Sequence, residues 1–177
     1  MELLSKLEHK IYGWFKSFPG LPAGARKWLG DNVWWIVVIS AVLVTISAIN
    51  NLITLNGQIE NLSSVANSYY VSSAGATWSI VATSVGLAFV VLQAVLLYLA
   101  INPLKLKQKK GWVLLFAAWL VSAVSIVVNG FMSLSVIVFI ISILFNAIPL
   151  VVIGYFLYEI HGQFAQVEKS KGVKTSK

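Results

Sequence analysis

Residues 33–55 read VWWIVVISAVLVTISAINNLITL, with no Asp, Glu, Lys, Arg or His among them. The hydrocarbon core of a bilayer is about 30 Å thick and takes roughly 20 apolar residues to cross as a helix. The stretch therefore reads as a membrane span. Outward from it, three more stretches meet the same requirement: about 77–101 (TWSIVATSVGLAFVVLQAVLLYLAI), 111–128 (GWVLLFAAWLVSAVSIVV) and 134–158. Buried helices of a soluble bundle would each keep a polar stripe, and none of the four has one. Unbroken apolar runs also exclude a transmembrane β-barrel, whose strands alternate over about ten residues. The fold class that follows is all-α, a polytopic membrane protein with four transmembrane helices.

Composition agrees. The 177 residues are 58% hydrophobic and 11% charged, at a mean hydropathy of +0.83. Soluble domains carry about a quarter charged residues, and disordered chains combine low hydrophobicity with high net charge. There is no cysteine, which removes disulfides, thiolate metal sites, haem attachment and cysteine nucleophiles. Thirteen Lys+Arg against six Asp+Glu leave a net +7, and placement gives that excess its meaning. The N-terminal arm holds Lys6, Lys10, Lys16, Arg26 and Lys27. The second connection holds Lys105, Lys107, Lys109 and Lys110, and the tail holds Lys169, Lys171, Lys174 and Lys177. The other two connections, 58–76 and 129–133, carry only Glu60. Short connections rich in Lys and Arg stay in the cytoplasm, so both termini are predicted there. The cations of the arm and the second connection are then expected to contact anionic lipid headgroups. A nucleic-acid surface would need them gathered on a soluble folded face. The first 31 residues have no apolar signal-peptide core, so the first span is expected to act as its own retained targeting signal.

Three regions are expected: an arm at 1–31, a four-helix bundle at 32–160 and a basic, mobile tail at 161–177. In the arm, Leu4, Leu7, Ile11, Trp14, Phe15 and Phe18 fall on one helical stripe. Such a helix suits the membrane interface, or packs on another cytoplasmic element or partner. Phe18-Pro19-Gly20-Leu21-Pro22 breaks it. A short helix over 23–29 is expected to lead into the first span through Gly30-Asp31-Asn32, with Asp31 or Asn32 as its cap. Trp14, Phe15, Trp28, Trp34, Trp35 and Trp112 lie near the predicted inner boundary and Trp78 near the outer one. These read as interface anchors.

Trp35-Ile-Val-Val-Ile-Ser-Ala-Val-Leu-Val-Thr and Trp112-Val-Leu-Leu-Phe-Ala-Ala-Trp-Leu-Val-Ser align in one register, pairing Ala41, Thr45 and Ala48 with Ala118, Ser122 and Ser125. Gln93-Ala-Val-Leu-Leu likewise resembles Asn146-Ala-Ile-Pro-Leu. Duplication of a helical hairpin, as a parallel repeat, is one reading; shared composition is the other. Small residues at these intervals let helices approach closely. Gln93 and Asn146 are larger amides inside the hydrocarbon, where an unsatisfied amide is costly. Both are expected to face the bundle, either bonding across helices or forming a polar site with Ser122, Ser125 and Pro149. Pro149 frees a carbonyl and predicts a kink. Asn50, Asn51 and Asn129 lie near the outer boundary, where they line a polar mouth or meet water.

Ion-coupled carriers hold an acidic or His residue within a span, and none of the four has one. Glu159 and His161 are two residues apart and do not share a helix face. Phosphate loops, metal-ligand spacings and nucleophile elbows are missing. No catalytic residue, cofactor or metal is therefore expected, and the protein reads as a non-enzyme. Tetraspanin-like and claudin-like families rely on extracellular cysteines, which this chain lacks. Residues 21–28 (LPAGARKW) before span one and 109–112 (KKGW) before span three resemble the boundaries of uncharacterised small four-helix proteins of bacterial inner membranes. The resemblance implies a plasma-membrane location and no particular activity. The expected role is an oligomeric scaffold or accessory subunit that acts through helix packing and lipid contact, with itself or another membrane protein as partner. The alternative is a channel or uncoupled carrier for a neutral or lipidic solute, using Gln93, Asn146 and Pro149.

Overall fold

The computed structural model describes residues 18–66, 74–133 and 135–173, together with Ile11, Gly13 and Phe15. Side chains are described as far as Ser64 in the first helix and Phe164 in the last. Four long helices follow one another: α1 (Ala23–Ala66), α2 (Ala74–Lys105), α3 (Lys109–Met132) and α4 (Val136–Val173). There is no strand among the described residues. All four helices are long and apolar enough to cross a membrane, and the chain is an integral membrane protein. A helix pairs its backbone donors and acceptors internally, which hydrocarbon demands. The outward side chains are apolar as well. Ile39, Leu43 and Ile46 of α1, Val95 and Leu99 of α2, and Leu144 and Ile148 of α4 are all exposed.

The helices outrun their apolar runs. At 1.5 Å per residue, the 44 residues of α1 extend about 66 Å, twice the hydrocarbon thickness. The expected separate helix over 23–29 is the first two turns of α1, and Gly30-Asp31-Asn32 does not interrupt it. Neither candidate cap acts as one. Asn32 Nδ2 donates to the Trp28 carbonyl (2.8 Å) while its Oδ1 accepts from Trp35 Nε1 (2.9 Å). Asp31 is bonded to Lys107. Past Leu55 the helix continues on polar residues where a connection was expected from Gln58, with Asn56 Nδ2 donating to Glu60 Oε1 (2.8 Å). The tail, expected to be mobile, is helical as far as Val173.

Successive helices run antiparallel. The start of α1, the α2–α3 turn and the second half of α4 share one end of the bundle, called here the basic end. In that α2–α3 turn Lys107 adopts φ 53°. Lys107 N–H donates to the Leu104 carbonyl (2.9 Å) and Gln108 N–H to the Pro103 carbonyl (2.8 Å), the Schellman pattern that closes a helix. Gly111 lets α3 begin against α2: a Cβ there would lie 2.5 Å from the Leu104 nitrogen.

The core sits at the basic end. Val33, Val37 and Ala41 of α1, Ala100 and Leu104 of α2, Trp112 and Phe116 of α3, and Ile160 and Phe164 of α4 are buried there together. No α4 residue before Gly154 is buried. In the repeat register, Ala41 and Ala118 are both buried, and Thr45 and Ser122 donate to their carbonyls (2.8 and 3.1 Å). The aligned tryptophans differ, with Trp35 38% exposed and Trp112 fully buried.

Candidate functional site

α1 and α4 meet at the basic end and separate toward the membrane centre, leaving a groove of about 490 Å³ between them, backed by α3. Leu29, Val33, Ile36, Val37 and Ser40 form the α1 wall at helical spacing. Leu115, Ala118, Trp119, Ser122 and Ile126 of α3 form the back, with Leu97 of α2 beside them. Asn146, Pro149, Leu150, Ile153, Phe156, Leu157 and Ile160 form the α4 wall. None of these residues is ionisable. From Asn146 to Ile160 the groove extends about 21 Å by helical rise, more than one leaflet of hydrocarbon.

Two indoles set the distance between α3 and α4. Trp112 Nε1 donates to the Leu157 carbonyl (2.9 Å) and Trp119 Nε1 to the Leu150 carbonyl (2.8 Å), two turns apart on both helices. A buried indole N–H needs a partner, and here the backbone of α4 supplies it. Trp112 stacks on Phe116 (centroids 5.3 Å) and Phe116 on Trp119 (5.8 Å), which stiffens the back wall. Gly154 makes room at the same level: a Cβ there would come within 2.9 Å of both Trp119 and Phe15.

The basic end of the groove is shut by a clasp. Glu159 Oε2 accepts from Arg26 Nε (2.9 Å) and from the Leu21 backbone N–H (3.0 Å). Gln163 Nε2 donates to the Arg26 carbonyl (2.6 Å), and Tyr155 Oη donates to the Pro19 carbonyl (2.7 Å). Phe15 stacks on Tyr158 with centroids 5.1 Å apart. The second half of the arm is thus tied across α4, a connection with no signature in the sequence because its partners lie more than 130 positions away.

A second cavity of about 390 Å³ lies toward the far end, lined by Asn51, Thr54, Thr83, Gly86, Ser125 and Asn129 among others. Asn129 Nδ2 donates to the Ser125 carbonyl (2.8 Å) and hydroxyl (2.9 Å). Asn51 and Asn129 share this cavity, whereas Asn50 is exposed outside it.

The polar residues singled out from sequence do not converge. Asn146 and Pro149 line the groove with Ser122, but Ser125 belongs to the far cavity, and Gln93 lines neither. The expected cross-helix amide bonds are absent among the described residues. Asn146 Nδ2 donates to the Ser142 carbonyl of its own helix (2.7 Å), and Gln93 is half-buried with no described hydrogen-bond partner. α4 remains one helix through Pro149.

The expected anchors divide as well. Trp28, Trp35 and Trp78 are exposed, and Trp78 Nε1 donates to the Met132 carbonyl (2.8 Å). Trp34 is half-buried beneath the Lys105 ammonium, 5.3 Å from its ring centroid. Trp112 is not an interface residue, because α4 and His161 cover it completely. Phe15 is half-buried against α4, whereas Trp14 lies outside the described residues. Of the expected lipid-contacting cations, Arg26 is paired with Glu159 and Lys107 with Asp31. Lys27, Lys109 and Lys110 are exposed; Lys6, Lys10 and Lys16 lie outside the described residues. Among the described residues no group of acidic, His or Cys side chains could hold a metal ion. Comparison with protein-family models, curated proteins and solved structures finds no match to this chain.

Proposed function

We propose that the protein is a non-enzymatic membrane protein of the bacterial inner membrane, with both termini cytoplasmic, that holds a lipidic molecule in the α1–α4 groove. Of the two roles expected from sequence, this is the carrier role for a neutral or lipidic solute. The observation that carries it is the groove itself. It lies at the depth of the apolar spans, has no ionisable lining residue, and runs about 21 Å along α4. Apolar grooves of a few hundred Å³ with few polar groups are the usual form of a small-molecule site. A scaffold acting through packing alone would gain from α4 closing on α1 along its whole length.

Ser40→Phe tests this reading by filling the α1 wall. The purified wild-type protein is expected to retain a lipid that native mass spectrometry detects, and Ser40→Phe to lose it with helicity unchanged. Equal lipid retention by the two proteins, or none in either, contradicts the reading.

A further inference from the structure

The lining of the groove carries information about the ligand's polar group. Three of its residues are polar: Ser40, Ser122 and Asn146. Both serine hydroxyls spend their proton on their own helix, Ser40 on the Ile36 carbonyl (3.0 Å) and Ser122 on the Ala118 carbonyl (3.1 Å). Their oxygens keep free lone pairs. Asn146 uses one amide proton on Ser142, which leaves its second N–H and its Oδ1. Asn146 is also the central residue of the apolar run 134–158, so its amide lies near mid-membrane, where water cannot satisfy it.

No charged residue lines the groove, and the exposed Lys27, Lys109 and Lys110 of the basic end lie outside it. At the clasp that closes it, Arg26 and Glu159 neutralise each other at 2.9 Å, and the Gln163 amide is bonded to the Arg26 carbonyl. A ligand therefore enters sideways between α1 and α4, within the hydrocarbon, and a charge would have to be buried there unpaired. That is among the most expensive transfers a lipid can make.

We propose that the groove selects an uncharged amphiphile, a long apolar body bearing one hydroxyl- or amide-type head. The head is bonded by Asn146 at mid-membrane, and the body lies along Trp119, Ile153 and Ile160. This specificity rests on the lipid-binding reading above, and the probes separate the failure of each. Three photoreactive probes of one chain length serve: an alkyl alcohol, the matching alkyl sulfate and the matching alkane, each with a diazirine on the chain. The protein is reconstituted in phosphatidylcholine nanodiscs, irradiated, and its labelled groove peptides are quantified.

The alcohol is expected to label groove residues three- to tenfold more than the alkane, the range for about one net hydrogen bond. The sulfate is expected to label them less than either. Asn146→Leu should lower the alcohol to the alkane level while alkane labelling persists, which also reports an intact groove. Sulfate labelling equal to alcohol labelling in the wild-type protein overturns the selectivity and needs no variant. Equal labelling by alcohol and alkane overturns it too, yet leaves lipid binding standing. Absence of groove labelling by all three overturns both.

Discussion

Trp112 shows how one residue carries two incompatible sequence signals. It follows Lys109-Lys110-Gly111 at the start of an apolar run, where an interface tryptophan belongs. Its indole is nonetheless fully buried and bonded to the Leu157 carbonyl. Nothing local separates it from Trp35, which has the same apolar flank and is 38% exposed. The difference is the backbone of α4, 45 positions away. Trp112→Phe keeps an aromatic ring but removes the hydrogen bond and part of the buried volume, so it should cost about 2 kcal/mol in detergent-based unfolding. Trp35→Phe removes only an exposed indole bond to Asn32 of its own helix, and should stay within about 0.5 kcal/mol. Equal costs would mean that burying the Trp112 indole against α4 contributes nothing. Asn146 was legible as an intramembrane polar residue because an amide stands out among apolar neighbours. The apolar walls formed by Ile153 and Phe156 were not, since every neighbour is equally apolar and only tertiary packing chooses a face.

At the scale of elements, spans were legible and ends were not. The apolar runs locate four helices because hydrocarbon leaves no other way to satisfy the backbone. Where a run meets water that constraint lapses, so α1 continues through polar residues to Ala66 without a sequence signal. The α2–α3 turn is also unmarked, with Leu106-Lys107-Gln108 where glycine is the usual helix terminator. Lys107 holds the left-handed conformation while bonded to Asp31. Lys107→Ala and Lys107→Gly both remove that ion pair, but only glycine enters this region without steric penalty. The Gly variant should therefore be the more stable of the two by about 1 kcal/mol. Their equality in unfolding experiments would show that the turn relaxes out of φ 53°.

For the whole molecule, the distribution of thirteen cations underlies the proposed orientation and the packing sets a shape. The orientation predicts that a membrane-impermeant maleimide applied from outside labels Ser64→Cys and leaves Lys110→Cys unlabelled. Both sites are exposed in a chain with no native cysteine. The reverse pattern would invert the topology. The shape is a bundle closed at its basic end and parted between α1 and α4 toward the membrane centre. Two cysteine pairs across that seam measure it, because a disulfide needs Cα atoms within about 7 Å. Gly30→Cys with Gln163→Cys, at the clasp, should oxidise readily in nanodiscs. Ser40→Cys with Ile153→Cys, on the α1 and α4 walls of the groove, should not. Equal bridging of the two pairs would show α4 lying against α1 along its length, with no groove for a lipid to occupy.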